Sequence, residues 1–160
     1  MALESGRVQE FSLSWKITAI VGHSANTKHM TENPYFKLLE DAMARAYAPY
    51  SKFRVGAVVR GESGQLYTGA NVENAAYPQG WCAEASALAA MIMGGETSLT
   101  EVAVMAAGDQ ICTPCGGCRQ KLKEFALPGV QVLCFSPSEL LATIPLDELL
   151  PYGFGASYLP

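Results

Sequence analysis

Three cysteines stand where two helices should begin. Cys115-Gly116-Gly117-Cys118 is a C-x-x-C preceded by Pro114, and Cys82 opens an earlier helical stretch. A C-x-x-C brings two thiolates within reach of one ion, and a helix N-terminus supplies N–H groups and a positive dipole end that favour thiolate. By itself this spacing is shared by redox pairs and zinc sites. Cys82-Ala83-Glu84 adds a sharper feature. Glu84 follows a candidate ligand by two positions at the start of a helix, so its carboxylate can lean over a metal without binding it. Zinc held by three protein ligands keeps a fourth position for water and lowers the pKa of that water toward about 7. A carboxylate so placed can take the water's proton and pass it on.

The elements that must position these groups are readable from the pattern. Thr31 or Asn33 can cap a first helix, Pro34 fits its first turn, and Phe36, Leu39, Met43, Ala46 and Tyr47 recur at helical spacing until Pro49. Val55–Val59 and Leu66–Ala70 read as paired strands around a turn at Gly61–Gly64. Cys82–Met93 is an alanine-rich helix ended by Gly94-Gly95. A strand over Glu101–Ala106, a helix over Cys115–Phe125 ended near Pro128-Gly129, a strand over Val130–Phe135 and a short helix around Leu146–Leu150 complete the series. The alternation predicts a mixed sheet with helices on both faces.

Composition narrows the function classes. The 160 residues fit one domain, and 49% hydrophobic against 16% charged residues argues for a packed core. A net charge of −4 argues against a nucleic-acid strand and for a small, nearly neutral ligand. No apolar run is long enough to span a bilayer, and residues 1–30 lack a secretory pattern, so no membrane association and a cytoplasmic location are expected. Five cysteines, an odd number, then read as thiols or metal ligands rather than as a disulfide framework. Residues 1–30 are polar and mixed and read as an extension of uncertain origin, with the folded domain over 31–160.

Glu two positions after the first ligand, followed by Pro-Cys-x-x-Cys, is the arrangement of zinc deaminases. The chain resembles the small, three-cysteine, homotetrameric cytidine deaminases. The likeness runs over about residues 35–156 and is carried by Tyr50-Ser51-Lys52-Phe53-Arg54-Val55-Gly56-Ala57, Asn71-Val72-Glu73-Asn74-Ala75, Cys82-Ala83-Glu84, Thr113-Pro114-Cys115-Gly116-Gly117-Cys118-Arg119-Gln120 and Leu149-Leu150-Pro151-Tyr152-Gly153-Phe154-Gly155. The resemblance implies a three-layer α/β/α sandwich with a mixed five-stranded sheet. It implies hydrolysis of free cytidine and deoxycytidine to uridine and deoxyuridine with release of ammonia, through water activated by zinc, as a step of pyrimidine salvage. Cys82, Cys115 and Cys118 would bind Zn²⁺, and Glu84 would shuttle protons. Asn71 and Glu73 would bind the ribose hydroxyls, and Phe53 would pack on the pyrimidine. The Ala83 backbone would contact the base, and the Thr113 carbonyl would face the leaving amino group. Tyr77 and Phe154 would reach a neighbouring subunit's site in a homotetramer. One departure is plain: the small-type pattern continues Cys-Ala-Glu with Arg, and this chain has Ala85 and then Ser86.

Other readings stand beside this one. Cys112 extends the C-x-x-C to four thiols with Cys82, Cys115 and Cys118, the set for a closed, non-catalytic structural zinc site. In the open-site reading Cys112 and Cys134 are buried free thiols. Taken singly, Glu73 reads as a surface acid, Asn71 as a turn residue and Phe53 as core. Another small cytosine-containing molecule, such as blasticidin S, is an alternative substrate, and the paired Asn71 and Glu73 favour a ribose over it. A polynucleotide deaminase needs a basic groove and commonly a histidine as first ligand.

Overall fold

The computed structural model describes residues 33–160, so the division at residue 30 and the Thr31 cap lie outside the described residues. The first helix, α1 (Phe36–Arg45), opens just after Asn33, whose side-chain oxygen accepts the Tyr35 N–H at 2.9 Å. Leu39 on the predicted apolar face is fully buried. The helix stops before Tyr47, earlier than Pro49 requires. Tyr47 instead pairs with the segment around Val72: its N–H donates to Asn71 O at 3.0 Å and its carbonyl accepts the Glu73 N–H at 2.8 Å. Those backbone bonds replace the last helical turn, and the Tyr47 side chain is left exposed.

Five strands follow, with helices between them: β1 (Val55–Gly61), β2 (Leu66–Ala70), α2 (Ala83–Met93), β3 (Leu99–Ala106), α3 (Gly116–Phe125), β4 (Ala126–Phe135), β5 (Leu140–Pro145) and the one-turn α4 (Leu146–Leu149). The sheet order is β2-β1-β3-β4-β5. Only β3 and β4 run parallel, joined by the α3 crossover, and the other pairs are antiparallel. The sheet is therefore mixed and five-stranded, as expected. Pattern alone identified four of its strands. The fifth, β5, is a short edge strand with no fully buried residue; its residues are mostly apolar but do not alternate with polar ones, and it ends on Pro145.

Alternate residues of the central strands face opposite layers. Val58, Ala103, Met105 and Leu133 pack against Tyr35 and Leu39 on one face. Ala57, Val59, Val102, Val104 and Val132 meet Ala87, Met91 and Leu122 from α2 and α3 on the other. Each large apolar side chain fully buried here contributes roughly 1.5–3 kcal/mol relative to exposure. Gly56 lets α1 lie directly on β1, since a Cβ there would stand 2.4 Å from the Leu39 carbonyl oxygen. Among the described residues no helix is long and apolar enough to cross a membrane.

Candidate active site

Two helix N-termini meet over one end of the sheet. Gly69 on β2 fixes the first: a Cβ there would lie 2.3 Å from both Ala83 O and Ala87 N, so the opening turn of α2 rests on the strand backbone. Cys82 is the N-cap residue of α2, and Cys115 is the N-cap residue of α3, with extended backbone at both. Cys118 sits in the first turn of α3 and is buried. The Cys82 and Cys115 sulfurs are 3.8 Å apart, and the three sulfurs lie within 4.8 Å of one another. Thiolates on one tetrahedral zinc ion, with bonds of about 2.3 Å, stand about 3.8 Å apart. The donor set and its spacing therefore fit zinc with three protein ligands.

The electrostatics agree. Burial raises the Cys118 pKa far above the ordinary thiol value, and the Glu84 carboxylate and the other two sulfurs raise it further. Burial likewise raises Cys82. Burial also opposes the Cys115 thiolate, but hydrogen bonding to Cys118 and Cys82 outweighs it and draws that pKa down. Crowded acidic groups such as these resist ionising together until a divalent cation supplies the missing charge.

Glu84 occupies the first turn of α2 and is 5% exposed. Burial raises its pKa, against the pull of its own N–H, the Cys118 thiol and the Lys121 ammonium. A carboxyl held above its ordinary range exchanges protons more readily near neutrality, as an acid–base group must. Lys121 is a cation that pattern reading passed over. Its nitrogen lies 3.7 Å from where a Cβ on Gly117 would stand, above the first turn of α3. Its spacing of three from Cys118 is the available signal.

Arg119 does not serve the sulfurs. Its guanidinium donates to Pro114 O at 2.7 Å, Thr113 Oγ1 at 2.7 Å and Leu149 O at 2.9 Å, locking the loop before α3 to the end of α4. Ala85, which stands where the resembling pattern has arginine, is 5% exposed and lines an apolar groove with Trp81, Leu88 and Lys121. The Ser86 hydroxyl donates to Ala70 O at 2.9 Å and so ties α2 to β2. Ala83 is fully buried beneath the cluster. Cys112 and Cys134 stand outside the three-sulfur group. Cys134 is buried in β4, where desolvation pushes its thiol up to about 11, whereas Cys112 is only half-buried, less than expected. A closed four-thiol site therefore does not assemble.

A cavity of about 390 Å³ is lined by Tyr50, Ser51, Glu73, Asn74, Tyr77 and Gly80, and none of the three cysteines is part of its wall. Gly80 stands two residues before Cys82, and between them Trp81 pairs with Val72 through two backbone hydrogen bonds of 2.8 and 2.9 Å. Glu73 accepts the Tyr50 N–H at 2.8 Å and the Ser51 N–H at 3.2 Å, and it also accepts the Ser51 hydroxyl. The Ser51 hydroxyl holds the Glu73 pKa below its ordinary value against a smaller desolvation penalty, with the Tyr50 and Ser51 N–H groups helping. Asn71 donates to Phe53 O at 2.9 Å and accepts the Val55 N–H at 2.8 Å. Phe53 is half-exposed. Tyr77 packs edge-on against Tyr50 at 6.2 Å and lines this chain's own cavity. Phe154 stacks on Tyr158 at 5.3 Å, remains more than half exposed, and accepts a bond from Gln120 at its carbonyl. Tyr50, Ser51, Asn74 and Gly80 are lining residues that sequence reading does not single out, although Tyr50, Ser51 and Asn74 fall inside its two upstream motifs.

Comparison with known proteins agrees with this geometry. The family model described as the cytidine and deoxycytidylate deaminase zinc-binding region matches residues 30–134. A cytidine deaminase of Sporosarcina psychrophila is 37% identical over 113 residues, covering 71% of this chain and 83% of the relative. One from Mycoplasma genitalium is 34% identical over 122 residues, covering 76% and 93%. The crystal structure of cytidine deaminase from Burkholderia pseudomallei superposes with a TM-score of 0.71 at 30% identity, over 81% of this chain and all of that one (100%).

Proposed function

Because this chain belongs to the cytidine and deoxycytidylate deaminase zinc-binding family, we propose that it hydrolyses free cytidine and deoxycytidine to uridine and deoxyuridine with release of ammonia, as a step of pyrimidine salvage. The carrying observation is the three-sulfur cluster at two helix N-termini with the buried Glu84 against it. Cys82, Cys115 and Cys118 would hold zinc, which would supply an activated water.

The chain's own residues do the rest. Glu84 takes a proton from that water and delivers it to N3 of the base, which makes C4 electrophilic. It then passes the second water proton to the amino group, so one water is consumed and one ammonia leaves. The Ala83 backbone and the Thr113 carbonyl hold the base edge and the departing nitrogen, and Phe53 walls the pyrimidine. Glu73 and Asn71 face the sugar. The low Glu73 pKa supports this role, since an ionised carboxylate is a strong acceptor for hydroxyl groups.

Residues 31–160 form the catalytic domain, preceded by an extension over 1–30. The working form is a cytoplasmic homotetramer without nucleic-acid or membrane partners. In support, Tyr77, Tyr152, Phe154 and Tyr158 are all more than half exposed on one chain, and apolar exposure of this kind is covered in assemblies. Sedimentation of the active protein should give the tetramer; an active monomer at micromolar concentration would exclude it. The reading as a whole is tested by following ammonia release from cytidine, deoxycytidine and blasticidin S alongside zinc content. Turnover of both nucleosides by protein holding one zinc per chain is expected. Turnover of blasticidin S alone would replace the substrate assignment.

A further inference from the structure

Among the described residues Lys52 is one of two non-glycine residues with positive φ, at 61°. It stands between Ser51 and Phe53, in the loop that enters β1. A non-glycine residue in this region carries backbone strain, and it persists only where its surroundings over-determine the backbone. Here the Lys52 N–H donates to Ala48 O at 3.2 Å and the Phe53 N–H to Ser51 Oγ at 2.9 Å, and two side chains from one short segment complete the surroundings. Glu73 holds the loop ahead of Lys52 through Tyr50 and Ser51. Asn71 holds it behind, with Nδ2 donating to Phe53 O at 2.9 Å and Oδ1 accepting the Val55 N–H at 2.8 Å.

Asn71 thereby acts as a continuation of the sheet. The β1–β2 ladder ends at Gly56 opposite Ala70. One residue further, the Asn71 main chain donates to Val55 O at 3.3 Å, and its carboxamide then supplies the acceptor and donor that another strand residue would have offered. One N–H and one lone pair of that amide are committed to the chain itself, half of its capacity. Both committed bonds lie on the C-terminal side of Phe53, at its own carbonyl and at the Val55 N–H.

We propose that Asn71 is a positioning residue for Phe53: it sets where the aromatic wall of the site stands. The inference rests on the functional reading above, in which Phe53 walls the base, and it gives Asn71 a duty separate from any contact with the sugar. Displacing a wall by about 1 Å can cost on the order of 10²-fold in turnover.

The experiment compares Asn71→Ala and Asn71→Asp with the zinc-loaded wild type on cytidine and on 2′,3′-dideoxycytidine, which lacks the hydroxyls. Asn71→Asp keeps the size and the acceptor for Val55 but loses the donor to Phe53. Both variants should lose kcat/KM on 2′,3′-dideoxycytidine, where no sugar hydroxyl is left to contact, by up to about 10²-fold, and at least as much on cytidine. In a Phe53→Ala background Asn71→Ala should cost roughly twofold or less on the dideoxynucleoside, because the group it positions is gone. A merely structural role would cost the same in either background. A loss confined to cytidine would make Asn71 a sugar contact and overturn the proposal, as would full additivity with Phe53→Ala. Hydrogen exchange gives an arm independent of turnover: the Val55 amide should exchange at least about tenfold faster in Asn71→Ala. Unchanged Val55 protection would overturn the proposal. A wild type that leaves cytidine untouched would defeat the functional reading instead, with the exchange arm still deciding whether Asn71 holds the loop.

Discussion

Cys82, Cys115 and Cys118 are placed by backbone, whereas Phe53 and Tyr77 are placed by side chains. The sulfurs ride on the first turns of α2 and α3, and those helices are seated on the sheet by buried contacts and by the bare backbone of Gly69. The neighbouring cavity is walled by a loop whose shape depends on the Asn71 carboxamide, the Glu73 carboxylate and the Ser51 hydroxyl. One half of the site therefore has the rigidity of the core and the other that of a few hydrogen bonds near solvent. Chemistry that tolerates no displacement sits on the first. Recognition of a small ligand sits on the second, where aromatic residues are left open to it.

The comparison breaks most sharply at the sulfurs. Cys118→Ser should lose zinc and abolish turnover, because its side chain is buried between the other two ligands and no other thiol is within reach. Cys112→Ser should keep both. Metal analysis and ammonia release on the two variants check this, and zinc loss from Cys112→Ser would restore the closed four-thiol site.

Glu84→Gln comes next. The amide keeps the shape of the buried side chain but cannot accept the water's proton, so turnover should fall by about 10²–10⁴-fold with zinc content unchanged. Full activity in this variant would remove Glu84 from the chemistry.

Gly69→Ala probes the support beneath the rigid half. A Cβ placed 2.3 Å from two backbone atoms of α2 must push the helix away. Overpacking of this kind costs about 1–3 kcal/mol. Thermal unfolding should show a midpoint lowered by several degrees, together with weaker zinc retention as Cys82 shifts. An unchanged midpoint would mean that α2 adjusts freely.

The smallest effect belongs to the soft half and depends on pH. The Glu73 pKa is depressed in the folded chain, chiefly by the Ser51 hydroxyl. Its hold on the loop is therefore fully present above the ordinary glutamate value of about 4.3 and is lost as pH falls through the depressed one. NMR titration should show Ser51→Ala moving the Glu73 pKa back up, with the Tyr50 amide losing protection at a higher pH than in the wild type. A Glu73 titration unmoved by Ser51→Ala would show that the backbone N–H groups alone set it.

Much of the rigid half could be read from the chain. Cysteine spacing, the Glu two positions on and the helix signals around them are local properties, and local spacing determines which side chains a helix start presents together. Four strands and all four helices, the short one at Leu146–Leu149 included, were readable from the chain. A mixed sheet with helices on both faces, the zinc ligand candidates and the candidate acid–base residue followed from those features, whereas the five-stranded count came with the family resemblance. What tertiary structure decided is long-range. Tyr47 left its helix because its backbone found partners 24 and 26 residues away, at Asn71 and Glu73. β5 exists as a strand because β4 offers it an edge. Arg119 turned to three oxygens of the chain rather than to the sulfurs, and Cys112 fell outside the cluster although it lies three residues from Cys115. The Asn71 amide reached the loop around Phe53 only once β1 and β2 had paired. Sequence period reports which face a residue shares with its near neighbours; it carries no record of which distant backbone group will be left needing a partner, and that need settled each of these positions.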